Sequence, residues 1–154
     1  MRPILKPGIL ALTIVGLFMG LLTAAAACGG PPHFTVGPYH FQSPAFKIDS
    51  KDATDVVMPT FTIAPGQSNL WHIHTGPGFV MVTQGTLTLY RFDGDSCTKS
   101  VYGPGEGFVE APGQVHTARN EGTTALVGQA TFIGVPVGQS FRTTVAAPTG
   151  ANCP

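Results

Sequence analysis

Charge is scarce in this chain. Only 10% of its 154 residues are Asp, Glu, Lys or Arg, and none lies between Lys6 and Lys47. No basic run stands out, and beyond residue 27 six Lys/Arg face eight Asp/Glu, so no nucleic-acid partner is expected. A Gly-x-Ser-x-Gly turn, a phosphate loop and a dinucleotide fingerprint are all missing, which removes the chemistries those motifs carry. Nothing beyond residue 27 has the spacing of a long helix, and no internal repeat is visible. The length allows one domain with a real hydrophobic core and no second domain. Twenty Gly and fourteen Pro would fit a disordered chain if apolar residues were few, but 43% are hydrophobic, which favours a compact, turn-rich, all-β protein.

The N-terminus is the one long apolar segment. Arg2 and Lys6 precede the apolar stretch 9–22, which runs into Thr23 and the small residues 24–27 before Cys28. A basic start, an apolar middle and a small-residue end describe a secretory signal over 1–27, and hence a secreted, periplasmic or cell-surface protein. A retained anchor is the competing reading, because residues 7–27 are long enough to cross a bilayer if Ala counts as apolar. Ala25-Ala26-Ala27-Cys28 also resembles a bacterial lipoprotein signal, which would attach the chain to a membrane through a lipidated Cys28, although Leu usually stands where Ala25 is. Ordinary cleavage after Ala27 fits almost as well.

Three cysteines in an exported protein leave one unpaired. With Cys28 lipidated, Cys97 and Cys153 are free to bridge in an oxidising compartment, tying the tail back across 55 intervening residues. Two free thiols are the alternative.

Residues 28–55, rich in Gly, Pro and small polar residues, read as an arm or tether. From 56 onward short β-rich runs alternate with turn signals: 56–63, 69–74, 79–83, 86–92, 97–102, 107–110, 115–119 and 125–133. Alternation is clearest in 86–92, where Leu87 and Leu89 share one face and Thr88 and Tyr90 the other. About eight such strands predict a sandwich or barrel over 56–145, in which closure removes exposed edges, followed by a tail over 146–154.

His72 and His74 stand two apart in a predicted strand, so their side chains leave one face about 6.6 Å apart along it. Two imidazoles so placed converge on one ion, but metal–nitrogen bonds of about 2.0 to 2.1 Å then need a further ligand from another strand. His116 is the natural candidate. Alone, a His-x-His pair is as readily hydrogen-bonded packing as a ligand pair.

The surroundings resolve that ambiguity. Gly66, His72, His74 and Gly85 fall in register with the first motif of the cupin family, and Gly105, Gly113, His116 and Asn120 with the second, with Pro112 one residue later than the family's Pro. The resemblance covers about residues 60–134. It implies a double-stranded β-helix (jelly-roll) barrel and a divalent transition metal (Fe, Mn, Zn, Ni or Cu) on His72, His74 and His116. One departure is plain: Gly78 stands where the family carries a metal-binding Glu. A neutral three-His set leaves the ion its charge and a more open coordination sphere, which resembles the three-His cupins, including the thiol oxidisers. The alternative is a site that has decayed.

Glu110 is the second unusual residue, since this strand of the resembled barrel usually carries an apolar side chain there. By parity it shares the face of Phe108. Facing inward, it would act as a catalytic base, replace the missing Glu on the metal, or hydrogen-bond a substrate. Facing outward, it is merely solvated. Trp71, Phe79, Met81 and Phe132 are cavity candidates that fit plain core equally well, Gln129 and Arg119 are candidate polar contacts, and His33 and His40 in the arm are expected to be solvated.

Three functions follow for a protein that takes a small-molecule ligand, as a monomer or homodimer. The sequence supports an exported protein that binds a divalent metal through its three histidines, with its activity open. The first of the three functions is a metal-dependent dioxygenase, the leading enzymatic alternative, the second a non-catalytic small-ligand or metal-binding module, and the third an isomerase or lyase with Glu110 as base. Fold alone does not choose among them.

Overall fold

Alternation in the sequence becomes alternation in burial. Along Leu126–Ile133 every second residue is buried, so this strand turns Leu126, Ala130 and Phe132 to the interior. The protein is known here from a computed structural model that describes residues 30–37, 39–43 and 46–154. The expectations for residues 1–27 and Cys28 lie outside them.

Among the described residues the chain has strands and no helix. They are β1 (His33–Val36), β2 (Tyr39–Ser43), β3 (Phe46–Ser50), β4 (Thr54–Val57), β5 (Thr60–Ile63), β6 (His72–Ile73) and β7 (Gly78–Gln84). They continue with β8 (Leu87–Phe92), β9 (Cys97–Tyr102), β10 (Gly107–Glu110), β11 (His116–Arg119), β12 (Leu126–Ile133) and β13 (Thr143–Thr144). One sheet runs β1-β4-β12-β7-β10, with β5 also paired to β12. The second runs β13-β6-β11-β8-β9, while β2 and β3 form a separate hairpin. All these pairings are antiparallel, as in a jelly roll.

Apolar side chains fill the space between the sheets. Ile63, Val82, Leu87, Leu89, Ala118 and Leu126 form one cluster, and Val57, Val80, Ala130, Phe132 and Val135 a second. Each fully buried Leu contributes about 1.5–3 kcal/mol relative to exposure. Gly66, Gly85, Gly105 and Gly113, the motif glycines, all have φ between 72° and 84°, so at these turns the motif asks for residues without a Cβ.

The predicted strands differ from the observed ones in three places. The 56–63 run breaks at Met58-Pro59, and Pro59, which has no N–H to offer a ladder, presents its carbonyl to Ala130 N at 3.0 Å. The 69–74 run shrinks to His72–Ile73 because Leu70 takes φ of 63°, a left-handed conformation that interrupts extended backbone. The predicted arm is a sheet strand in part, since β1 pairs with β4 from His33↔Val57 to Val36↔Thr54. His33, expected in solvent, makes a 2.9 Å hydrogen bond with the Val135 carbonyl. The expectation for the His40 side chain lies outside the described residues.

Candidate metal centre

His72 and His116 are direct cross-strand partners on β6 and β11, and His74 follows β6 by one residue. The three rings lie 4.4 to 5.1 Å apart between centroids. One ring nitrogen from each lies within 4.8 Å of the others, and the residues are only 1–2% exposed. Two donors on opposite sides of an ion with bonds of about 2.1 Å stand about 4.2 Å apart, so this cluster is already close to ion-sized.

The backbone fixes which nitrogen faces inward. His72 Nδ1 donates to Leu70 O at 2.8 Å, His74 Nδ1 to Phe141 O at 2.7 Å and His116 Nδ1 to Gln114 O at 2.8 Å. A carbonyl only accepts, so each neutral ring carries its proton on Nδ1 and turns an Nε2 lone pair toward the centre. Partner carbonyls of this kind orient metal-binding histidines. For His72 the carbonyl is aimed by the left-handed Leu70, a bulky residue in a costly conformation directly beside the site.

Glu110 completes the group. It is 5% exposed and sits 3.1 Å from His74 Nε2 through Oε2 and 3.0 Å from His116 Nε2 through Oε1. These contacts are short enough for hydrogen bonds, yet both Nε2 atoms lack a donor–acceptor partner when the rings are neutral. Lone pair faces lone pair. Buried acceptors crowded this way are costly unless a cation or a proton sits between them. Burial drives the His72 ring down to about 4, helped by the neighbouring His116, so the protonated form is disfavoured there. Burial alone would raise Glu110, but hydrogen bonds from His116 and His74, made when a proton sits on their Nε2 atoms, outweigh that and hold it down at about 2, as a carboxylate. A dication satisfies all four groups at once, so the residues present fit a divalent metal.

The missing Glu has a physical explanation. Gly78 on β7 and Glu110 on β10 are direct cross-strand partners. A Cβ added at 78 would lie 2.5 Å from Phe132 Cε1 and 3.0 Å from Glu110 Oε2. The space a side chain at 78 would use is therefore filled, partly by the carboxylate that reaches across from the next strand.

A cavity of about 120 Å³ opens beside the histidines. His72, His74 and Glu110 form one wall, while Phe61, Val80, Leu87, Phe108, Ala130, Phe132 and Phe141 make most of the rest apolar. Of the cavity candidates, only Phe132 lines it. Phe79 and Met81, 38% and 45% exposed, face outward, because parity on β7 sends Val80 and Val82 inside instead. Trp71 packs against Tyr90 and Cys97, and Gln129 borders a separate cavity with Pro31, Pro32 and Met58. Arg119 lines neither cavity.

The C-terminal segment contributes what no motif announced. Phe141 supplies the carbonyl for His74 and a ring 5.1 Å from Phe132. Residue 142 lines the cavity, and β13 then pairs with β6 through Thr143↔Ile73 and Thr144↔His72. A disulfide between Cys97 and Cys153 fixes the end of this strap, which selects the bridged reading of the cysteines. The available signal was charge, since Arg142 is the only charged residue after Glu121.

The Cupin domain family model matches residues 59–130. Among solved structures, oxalate oxidase is 30% identical over 50% of this chain and 41% of its own, with a TM-score of 0.47. An uncharacterized conserved protein with a double-stranded beta-helix domain from Klebsiella pneumoniae is 21% identical over 70% of this chain and 79% of its own, TM-score 0.44. The polyketide cyclase RemF from Streptomyces resistomycificus is 18% identical over 61% and 63%, TM-score 0.48. This chain thus spans less than half of the oxalate oxidase chain, and no curated protein matches it. The matched region, residues 59–130, contains all three buried histidines and is a Cupin domain.

Proposed function

We propose that this protein is an exported, metal-dependent oxygenase of a small organic molecule, with His72, His74, His116 and Glu110 holding one divalent ion. The observation that carries the metal is the set of inward Nε2 lone pairs facing the Glu110 carboxylate, with every Nδ1 already committed to a carbonyl. Bound there, an ion such as Fe(II) would supply the activation of dioxygen. The chain's own residues orient the imidazoles, exclude water with an apolar wall and leave room for a substrate beside the ligands.

The cavity favours oxygenase chemistry over isomerase or lyase chemistry. Its ionisable lining residues, among those described, are His72, His74, Glu110 and Arg142. The first three are ligands and the fourth is a permanent cation, so no free general base remains. Support for export comes from the signal-like residues 1–27 and from the Cys97–Cys153 bridge, which suits an oxidising compartment.

Glu110→Gln separates the roles. As a ligand, Glu110 is expected to strengthen Fe(II) or Mn(II) binding at least tenfold over the Gln variant in competition titrations. As a base alone, its loss would leave metal affinity intact. Fe(II)-dependent dioxygen uptake in the presence of small organic acids, lost in His72→Ala, tests the reaction. Tight metal retention with no uptake for any of them would instead favour a binding module.

A further inference from the structure

We infer that the cavity recognises a short monocarboxylate with a compact apolar body, and that Arg142 is the residue that selects the carboxylate. The inference deepens the proposed function, resting on it only for which end of the ligand reacts.

The cavity is chemically divided. One wall carries the histidines and Glu110, whose carboxylate is already engaged with His74 and His116. The phenyl rings and aliphatic side chains that make up most of the remainder offer nothing to a polar solute. Thr60, Asn69, whose Oδ1 is taken up by Ala118 N, and Arg142 are the polar exceptions, and of these Arg142 alone is charged. It lines the cavity, is partly buried, and its guanidinium has no hydrogen bond or ion pair among the described residues. Only its backbone is engaged, by the Ser140 hydroxyl. A guanidinium with five donors and no acceptor is matched by a planar, two-oxygen anion, which it binds bidentately.

Three further features narrow the ligand. The cavity is small, about 120 Å³, so the ligand is a compact acid. The apolar walls would strip water from a second charge without repaying it, so a small dianion fits poorly. Arg142 is also held in place at both ends of its segment. Phe141 before it is latched to His74 Nδ1, and Thr143 after it pairs with Ile73, so the backbone that carries the guanidinium is ordered before a ligand arrives.

The test is calorimetric binding of butyrate, its neutral isostere butyramide, and oxalate to the mature protein. It is run on both metal-loaded and chelator-depleted samples. In depleted protein a carboxylate has no ion to bind, so that sample isolates Arg142. There we expect butyrate to bind at least tenfold more tightly than butyramide or oxalate. The margin over butyramide should vanish in Arg142→Gln and persist in part in Arg142→Lys, which keeps the charge and loses the fork. Melting temperature and the metal content of loaded samples should be unchanged in both variants, which separates recognition from folding. Equal binding of butyrate and butyramide, tighter binding of oxalate, no binding of any probe, or an unchanged margin in Arg142→Gln would each overturn the inference. Failure to load metal would overturn the proposed function alone, because the depleted comparison is independent of it.

Discussion

The motif-bearing barrel, from Gly66 to Asn120, and the C-terminal strap, from Ser140 to Cys153, build one site by different means. The barrel supplies three histidines and Glu110 from paired strands, and its turns are fixed by glycines and by Asn120. That buried amide donates to Ile63 O and Thr124 O at 2.8 Å each and accepts from Gly122 N at 3.0 Å. The strap has two paired residues of its own, β13, and is held by β6, by a hydrogen bond from Val145 N to Trp71 O, and by the disulfide. The candidate ligands come from the barrel, whereas the strap supplies an orienting carbonyl and, among the described lining residues, the cavity's one permanent cation. The difference teaches that a candidate metal cluster and the cavity wall beside it need not share a sequence signature.

The sharpest way to break the barrel half is His116→Ala. Metal affinity is expected to fall at least a hundredfold by competition titration, with the strap's disulfide intact by mass spectrometry. The strap half breaks with Cys153→Ser. Opening a 55-residue loop removes roughly 4 kcal/mol by chain-entropy reasoning. Chemical denaturation should show that loss, and metal affinity should fall only modestly through a looser Phe141 carbonyl.

Acid sharpens the comparison from the side of charge. In metal-free protein His72 titrates near 4 instead of 6.5, so between these values the folded state binds fewer protons than the unfolded chain. Stability therefore falls as pH drops through that window, by on the order of 3 kcal/mol, and Glu110, held near 2, extends the loss below 4.5. Denaturant midpoints measured with a chelator from pH 7 to 4 check this. Metal should flatten the curve near pH 7 and lose its effect as protons compete for the rings.

Gly78→Ala tests whether Glu110 and Phe132 fill the vacated space. The added Cβ is expected to cost about 1–3 kcal/mol through overpacking, read from a denaturation midpoint. Leu70→Gly should have the smallest effect, since relief of about 1 kcal/mol of left-handed strain is offset by the flexibility of Gly. Its more telling readout is a few-fold weaker metal affinity as the carbonyl beneath His72 loosens.

How much of this was legible follows from the physics of each part. The strands from 79 to 133 and the three histidines were readable because alternation and paired His spacing are local patterns that tertiary structure preserves. Glu110 was readable as unusual but not as a partner of His74 and His116, because parity gives a face and not a depth. The swap between Gly78 and Glu110 depends on register across two strands that lie 32 positions apart, which no local pattern encodes. Leu70 shortened a predicted strand because its conformation serves the His72 carbonyl, a need seen only once the ring is in place. Arg142 was hidden for a similar reason, since a lone cation in a Gly- and Pro-rich tail reads as solvated until β13 docks on β6.

The most direct test of the centre is anomalous diffraction from crystals of protein loaded with one equivalent of Mn(II) or Fe(II). The expected result is a single peak per chain, about 2.0 to 2.3 Å from Nε2 of His72, His74 and His116 and from one oxygen of Glu110. No peak at full loading, with Glu110 still bridging His74 and His116, would contradict it.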